Sequence, residues 1–97
     1  MSIEPSKLST KKWRANFFDK ETLRRKTVNF GGRGFRDYTT ISEADEAKKA
    51  RAAYRSRHRN DKINDPLSPG ALSWWLLWGD YDNMNQNLSA FKRRFGV

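Results

Sequence analysis

Polar and hydrophobic residues alternate through much of the first third of the chain, which is the pattern of a β-strand with one buried face. The alternation runs from Lys12 to Phe18 and returns from Leu23 to Phe30, with a polar segment at residues 19–22 between the two runs. Such a segment favours a turn, so the pattern predicts a β-hairpin. Because a two-stranded ribbon is unstable by itself, the hairpin is expected to pack against the helices that follow it.

Two later segments show features of helices. The residues Ser-Glu-Ala-Asp at positions 42–45 form a short capping-box pattern, with acidic residues where the dipole of a first turn favours them. Near the C-terminus, apolar residues recur at a four-then-three spacing from Met84 to Phe95, which predicts a helix with one core-facing stripe.

A further helix is predicted around an apolar run that holds three of the four tryptophans, at positions 74, 75 and 78. Ser68 suits the N-cap, Pro69 suits the first helical position, and Gly79 is available for a left-handed end. The run is too short to span a bilayer, so no membrane is expected as a partner.

This tryptophan run is apolar on every side, so one neighbouring helix cannot cover it. Trp75 shares a flank with Leu72 and Leu76 and is therefore predicted to lie in the core. Trp74 and Trp78 point elsewhere on the helical wheel and are predicted to bind a partner, as tryptophans at interfaces often do.

These elements predict an α+β fold in which an N-terminal β-hairpin packs on three α-helices. At 97 residues the chain is expected to form a single small domain. Residues 1–10 are predicted to be a flexible N-terminal segment, and residues 11–97 the single α+β domain. The predicted core consists of Trp13, Phe17, Val28, Phe30, Tyr54, Leu72, Trp75, Leu76, Leu88, Phe91 and Phe95.

The charge of the chain indicates a polyanionic partner. Twenty Lys and Arg residues stand against eleven Asp and Glu residues, which gives a net charge of +9. Ten of these cations, with only two acidic residues, lie between Lys7 and Arg36. A small protein this basic usually meets a polyanion, and we expect that polyanion to be nucleic acid.

Two sets of cations are candidates for phosphate contacts. One lies on and beside the outer face of the hairpin, and the other forms a stripe about 80° wide along the helix that follows. A solvated helix face is the alternative interpretation of that stripe. Asn16 and Asn29, on the outer face of the hairpin, are candidates for reading base edges. The predicted nucleic-acid-binding residues are Arg14, Arg24, Arg25, Arg33, Lys48, Arg51, Arg55 and Arg59.

No pattern in the chain is typical of an enzyme. His58 is the only histidine and there is no cysteine, so neither a multidentate metal site nor a histidine-assisted nucleophile is expected. The glycine-rich segment at residues 31–34 lacks the Lys-Ser/Thr ending of a P-loop and is interpreted as a turn. We therefore expect a non-enzymatic protein with no catalytic residues, no metal and no cofactor.

An ordered series of motifs resembles a family of small, basic, uncharacterised proteins of giant nucleocytoplasmic DNA viruses of algae and amoebae. The resemblance runs from about Lys11 to Phe95 and implies a viral source and a non-enzymatic protein. It implies no particular activity. The motifs that carry it are Val28-Asn29-Phe30-Gly31, Gly34-Phe35-Arg36-Asp37-Tyr38-Thr39, Tyr54-Arg55-Ser56-Arg57-His58, Asn64-Asp65-Pro66, Pro69 to Trp78, and Phe91-Lys92-Arg93-Arg94-Phe95.

Two functions follow as predictions. The first is a nucleic-acid-binding protein of a large DNA virus, with DNA and RNA both open as ligands. The second is a small structural or adaptor protein of the virion that docks on another protein through its tryptophan-rich helix. A homodimer or a complex with a viral protein is expected in either case, and the expected location is the virion interior or the host cytoplasm or nucleus.

Overall fold

The computed structural model describes all 97 residues, and its first part is a three-stranded antiparallel sheet. The strands are β1 (Ser2–Pro5), β2 (Lys11–Asp19) and β3 (Arg24–Gly32), with β2 in the centre. Strands β2 and β3 form the predicted hairpin, in which Trp13 faces Phe30 across the pair. The alternating pattern therefore identified the hairpin and the turn between its strands correctly.

Strand β1 was not predicted, because it lies within the N-terminal segment expected to be flexible. Ser2 to Pro5 pair with residues 13–16 of β2, so the sheet begins inside residues 1–10 and the domain does not start at residue 11. Four residues with a single aliphatic side chain, Ile3, show no readable alternation. Pro5 would be unfavourable in a central strand, but it is tolerated here because β1 is an edge strand.

The helices follow the sheet in the predicted order. Helix α1 spans Ala44–Arg57, α2 spans Pro69–Leu72 and continues as a π-helix over Ser73–Leu77, and α3 spans Met84–Phe95. We call the continuous segment of α2 and the π-helix the tryptophan helix. The protein is thus a small α+β domain with a three-stranded antiparallel sheet and three helices, and no helix has the length and apolar character needed to cross a membrane.

The helix starts obey local capping chemistry. Ser68 caps the tryptophan helix by accepting a hydrogen bond from the Ala71 N–H at 3.0 Å, as predicted. Helix α1 is capped by Glu43, whose carboxylate accepts from the N–H groups of Asp45 and Glu46, rather than by the serine that precedes it.

Gly79, just beyond the end of the tryptophan helix, lies in a tightly packed site and does not adopt the left-handed conformation expected of it. Its φ is not positive, and a Cβ atom at this position would lie 2.2 Å from the carbonyl oxygen of Trp75. Asn87, which is fully buried, lies on the other side of Gly79 and donates from Nδ2 to the carbonyl oxygens of Leu76 and Tyr81 at 3.0 and 2.8 Å. The buried amide therefore holds α3 against the end of the tryptophan helix.

The core lies between the inner face of the hairpin and the tryptophan and C-terminal helices. Five predicted core residues are buried: Val28, Phe30, Leu72, Leu76 and Phe91. The other six predicted core residues are partly buried and pack around that centre: Trp13, Phe17, Tyr54, Trp75, Leu88 and Phe95. Ala15, Leu77 and Trp78 also belong to the buried centre.

The exposure predicted for Trp74 and Trp78 is wrong. Trp74 and Trp78 are only 8% and 9% exposed, whereas Trp75, predicted to be core, is partly exposed. The Trp78 N–H bonds to the carbonyl oxygen of Ser73, five residues earlier, at 3.1 Å. A turn closed by such a bond holds more residues than the 3.6 of an α-helix, so an α-helical wheel misplaces the side chains within it and at its end.

Candidate nucleic-acid interface

Ion pairs divide the cations of this protein into two groups. Of the twenty Lys and Arg residues, five lie within 4.0 Å of a carboxylate oxygen, which leaves fifteen without an acidic partner. The five paired residues are Lys12, Arg14, Arg36, Arg51 and Arg55. Three of the predicted phosphate contacts, Arg14, Arg51 and Arg55, are therefore engaged inside the protein.

Arg14 is neutralised on the outer face of the sheet by Glu4 of β1. Its guanidinium pairs with the Glu4 carboxylate, which also accepts a hydrogen bond from Asn16 Nδ2 at 2.7 Å. The hydrogen bonds from Asn16 and Arg14 hold the pKa of Glu4 below its ordinary value.

The two asparagines of the outer face are also engaged within the protein. Asn16 binds Glu4, and the Oδ1 of Asn29 accepts a hydrogen bond from the Ser6 hydroxyl at 2.6 Å. Each amide therefore has one of its two polar groups engaged within the protein, which leaves fewer groups to read a base edge. The unpredicted N-terminal strand and the turn after it use these groups.

Arg51 and Arg55 attach α1 to the end of the tryptophan helix. Arg51 Nε donates to the carbonyl oxygen of Gly79 at 2.8 Å, and Arg55 Nε donates to that of Trp78 at 3.1 Å. Carbonyl groups at a helix end lack partners within the helix, so the two guanidinium groups satisfy them. Asp80 adds a carboxylate 2.9 Å from Arg51 and 3.8 Å from Arg55.

Aromatic side chains surround this junction. The Arg55 guanidinium carbon lies 4.8 Å from the ring centre of Trp74, and that of Arg94 lies 3.7 Å from the ring centre of Trp75. Burial lowers the pKa of Arg55, and the charges of Arg51 and Arg94 lower it further. The stripe predicted along α1 is therefore divided, because Arg51 and Arg55 face the protein while Lys48 and Arg59 remain exposed.

Four unpaired cations share one groove at the tip of the hairpin. We call Lys20, Arg24, Arg25 and Lys26 the tip cluster. All four are exposed and none forms an ion pair, and together they line an open groove of about 1090 Å³. The predicted contacts Arg24 and Arg25 thus lie together here, joined by Lys20 and Lys26, which were not predicted.

The tip also holds two acidic residues, Asp19 and Glu21, and neither forms an ion pair with the cluster. Asp19 Oδ1 accepts hydrogen bonds from the N–H groups of Glu21 and Thr22 at 2.9 and 3.3 Å. Asp19 faces Arg24 in the strand register, yet forms no ion pair with it. The carboxylate is used to form the turn and leaves the guanidinium exposed.

An exposed aromatic ring accompanies these charges. Phe18 faces Arg25 across the hairpin, and the Arg25 guanidinium carbon lies 5.8 Å from its ring centre. Half of the Phe18 surface is exposed to solvent. Exposed aromatic rings beside cations are typical of surfaces on which nucleic-acid bases stack. The position of Lys20 and Phe18 beside a predicted turn was the sequence signal that could have identified them.

Arg33, the remaining predicted contact, is exposed but has backbone partners. One of its guanidinium nitrogens donates to the carbonyl oxygens of Ser6 and Leu8, each at 3.3 Å. It thereby connects the end of β3 to the turn between β1 and β2. No group of three or more His, Cys, Asp or Glu side chains is placed to hold a metal ion.

The structure described above is that of a small α+β domain with a basic hairpin. Residues 1–58 match the model of DUF5754, a family of unknown function, and because this match covers more than half of the chain, the protein belongs to that family. No curated protein and no solved structure is detectably similar to the chain.

Proposed function

We propose that this protein is a non-enzymatic nucleic-acid-binding protein that contacts phosphates through the tip cluster, and that it is encoded by a large DNA virus. The observation that carries the proposal is the cluster itself: four exposed cations without ion pairs, beside an exposed phenylalanine. The viral source is proposed from the motif resemblance alone.

The shape of the hairpin supports this proposal. In β3 the buried positions begin at Val28, and residues 24–27 are all exposed, beside a groove that Leu67 and Val97 also line. The molecule measures 44 Å along its longest axis and 28 and 24 Å along the others. The exposed end of a two-stranded ribbon has the dimensions that the major groove of B-DNA, about 12 Å wide, admits.

The chemistry of the tip cluster supports contact with the phosphate backbone more than base reading. Lys and Arg contacts to phosphates supply affinity without sequence information, and each contact releases condensed counterions. Four such contacts give a log–log salt slope of about −3.6 for duplex DNA. Binding is therefore expected to be strongly salt-dependent and only weakly selective for sequence.

The experiment is a fluorescence anisotropy titration of labelled duplex DNA, single-stranded DNA and single-stranded RNA at several salt concentrations. The variant Lys20→Gln/Lys26→Gln removes two charges from the tip, and Lys48→Gln/Lys49→Gln removes two exposed charges from α1. We expect the tip variant to reduce the magnitude of the duplex slope by about 2 and the α1 variant to change it little. Equal loss in both variants, or no binding at low salt, would reject the proposal.

The alternative of a virion adaptor docking through the tryptophan helix has less support. Trp74 and Trp78, the residues expected to form the docking surface, are almost completely covered by the protein's own side chains. The expectation of a homodimer depended on the same exposed surface. The burial of these tryptophans removes the argument for that surface and leaves nucleic-acid binding as the function best supported.

A further inference from the structure

A second open cleft, of about 610 Å³, lies between α1 and the open end of the hairpin, opposite its tip. No residue lines both this cleft and the groove at the tip cluster. One wall comes from α1, including Tyr54, Arg57 and His58, and the other from the ends of β2 and β3 with the loop at residues 35–37. The cleft has the volume of a small-molecule site.

Small residues line much of this cleft. Ala50 and Ala53 are the α1 side chains on the wall nearest to the start of the helix, and Gly31, Gly32 and Gly70 let the side chains of Leu77, Phe35 and Asp61 pack close to the backbone. Helix α1 is held to the tryptophan helix through the long side chains of its arginines, so its backbone stands away from the rest of the domain. The α1 wall of the cleft is therefore attached to the domain and yet separated from the opposite wall.

Aromatic rings lie on both sides of the cleft. On the α1 side, the Tyr54 ring stacks on His58 with ring centres 4.1 Å apart and on Trp78 at 4.7 Å. On the other side, Phe35 lies against Gly32, where a Cβ atom would come within 2.6 Å of the ring. Phe35 is nevertheless 74% exposed, so most of its surface is open to a ligand.

The charges of the cleft select an anion. Its two acidic residues are already partnered, because Asp37 pairs with Lys12 at 2.7 Å and Asp61 bonds to His58 Nδ1 at 2.9 Å. Two cations remain on opposite walls: Lys11 at the start of β2, and Arg57 at the end of α1. Neither has an acidic partner within 4.0 Å, so an anionic group placed between them would meet uncompensated positive charge.

We propose that this cleft binds one unpaired nucleotide, with its phosphate between Lys11 and Arg57 and its base against Phe35. The inference rests on the proposed function in taking nucleic acid as the ligand, and it extends that function from the phosphate backbone to an unpaired base. The planar base matches the exposed aromatic ring of the cleft, and the attached phosphate matches its two unpaired cations. The nucleotide is either free or part of a single strand.

The first test is a titration with AMP, adenosine and ribose 5-phosphate, followed by the fluorescence of the tryptophans, of which Trp78 lines the cleft. AMP is expected to bind at least tenfold more tightly than either fragment, because only AMP carries both the base and the phosphate. Equal binding of AMP and ribose 5-phosphate would show simple charge attraction and would overturn the proposal.

The second test compares two exposed phenylalanines, one at each site. Phe35→Ala is expected to weaken AMP binding about tenfold, which is within the range for loss of one base–aromatic stack, whereas Phe18→Ala at the hairpin tip leaves AMP binding unchanged. Lys11→Gln is expected to weaken AMP binding but not adenosine binding, and Lys49→Gln is its charge-matched control. An AMP affinity unchanged in both Phe35→Ala and Lys11→Gln would overturn the proposal.

Competition experiments distinguish a free nucleotide from a single strand as the source. A comparison of AMP binding with duplex binding tests the cleft and the tip cluster separately. If a single strand is the source, an unlabelled 12-residue single strand competes with AMP and a duplex of the same sequence does not. If the free nucleotide is the source, neither competes, and the cleft assignment still stands. Duplex binding that depends on the tip cluster but no specific AMP binding would reject the cleft alone, whereas AMP binding without duplex binding would reject the function proposed for the tip.

Discussion

The Nε of Arg51 donates a hydrogen bond to the carbonyl oxygen of Gly79 at 2.8 Å, across 28 residues of sequence. This bond and the parallel one from Arg55 join α1 to the end of the tryptophan helix. A helical wheel places both arginines on a basic surface, but these bonds give them a structural role. Loss of either guanidinium should therefore reduce the stability of the protein more than its affinity for nucleic acid.

Arg51→Gln is expected to lower the free energy of unfolding by about 1–3 kcal/mol, because it removes a charged hydrogen bond to a helix-end carbonyl. Lys48→Gln, one turn earlier on the same helix, removes the same charge from an exposed position and is expected to change stability by less than about 0.5 kcal/mol. Urea denaturation of both variants measures the difference. Equal stability of the two variants would contradict the role of Arg51 in attaching α1 to the tryptophan helix.

Gly79→Ala is expected to destabilise the protein by about 1–3 kcal/mol or more, since overpacking is costly where backbone cannot move aside. The new Cβ would lie 2.2 Å from the Trp75 carbonyl oxygen and 2.7 Å from Asn87 Oδ1. At Gly70 the nearest atom is the Asp61 Cβ at 3.3 Å, so Gly70→Ala is a control that should cost much less. Thermal unfolding of both variants would reveal the expected order, and the opposite order would refute it.

The Lys12–Asp37 pair should be far more important than the Arg36–Glu46 pair. Asp37 is 2% exposed, and Asp37→Asn would leave the largely buried Lys12 ammonium without its carboxylate, at a cost of about 3–5 kcal/mol. Glu46→Gln breaks an exposed pair and should cost about 0–1 kcal/mol. Chemical denaturation distinguishes the two variants. Similar midpoints for both would show that the buried pair is no more important for stability than the exposed pair.

Tyr54 should contribute to loss of stability at high pH. Burial raises its pKa to about 12 from an ordinary value of 10, with a smaller contribution from Asp61. Because the folded state holds the proton more tightly, this contribution is fully present below pH 10 and is lost as the pH rises towards 12. Tyr54→Phe has no proton to lose, so its melting temperature should fall less between pH 9 and pH 11.5 than that of the unaltered protein. A fall of equal size would argue against this role for Tyr54.

Glu4 should act in the opposite direction at low pH. Its folded-state pKa is lowered by hydrogen bonds from Asn16 and Arg14, so its contribution is present above the unfolded pKa of about 4.5 and is lost as the pH falls below that value. Glu4→Gln should therefore lower the melting temperature more at pH 7 than at pH 3. An equal effect at both pH values would show that the carboxylate charge is not the cause.

Much of the secondary structure could be predicted from local sequence because its causes are local. The alternation on either side of residues 19–22 specified the β2–β3 hairpin and its turn, and Ser68 and Pro69 specified the start of the tryptophan helix. The α+β class followed from these elements. Each signal depends on residues a few positions apart, where side-chain direction and capping are set by the backbone alone.

Only the tertiary structure decided which face of the tryptophan helix is buried and which cations are free. The turn closed by the Ser73–Trp78 hydrogen bond changes the spacing of side chains, and the close approach of Asn87 and the Trp75 carbonyl group leaves room only for a glycine at position 79. Arg51 and Arg55 find their carbonyl partners 28 and 23 residues away. Sequence by itself determined the charge and the hairpin, whereas the placement of charge depended on contacts between distant segments, which no local pattern encodes.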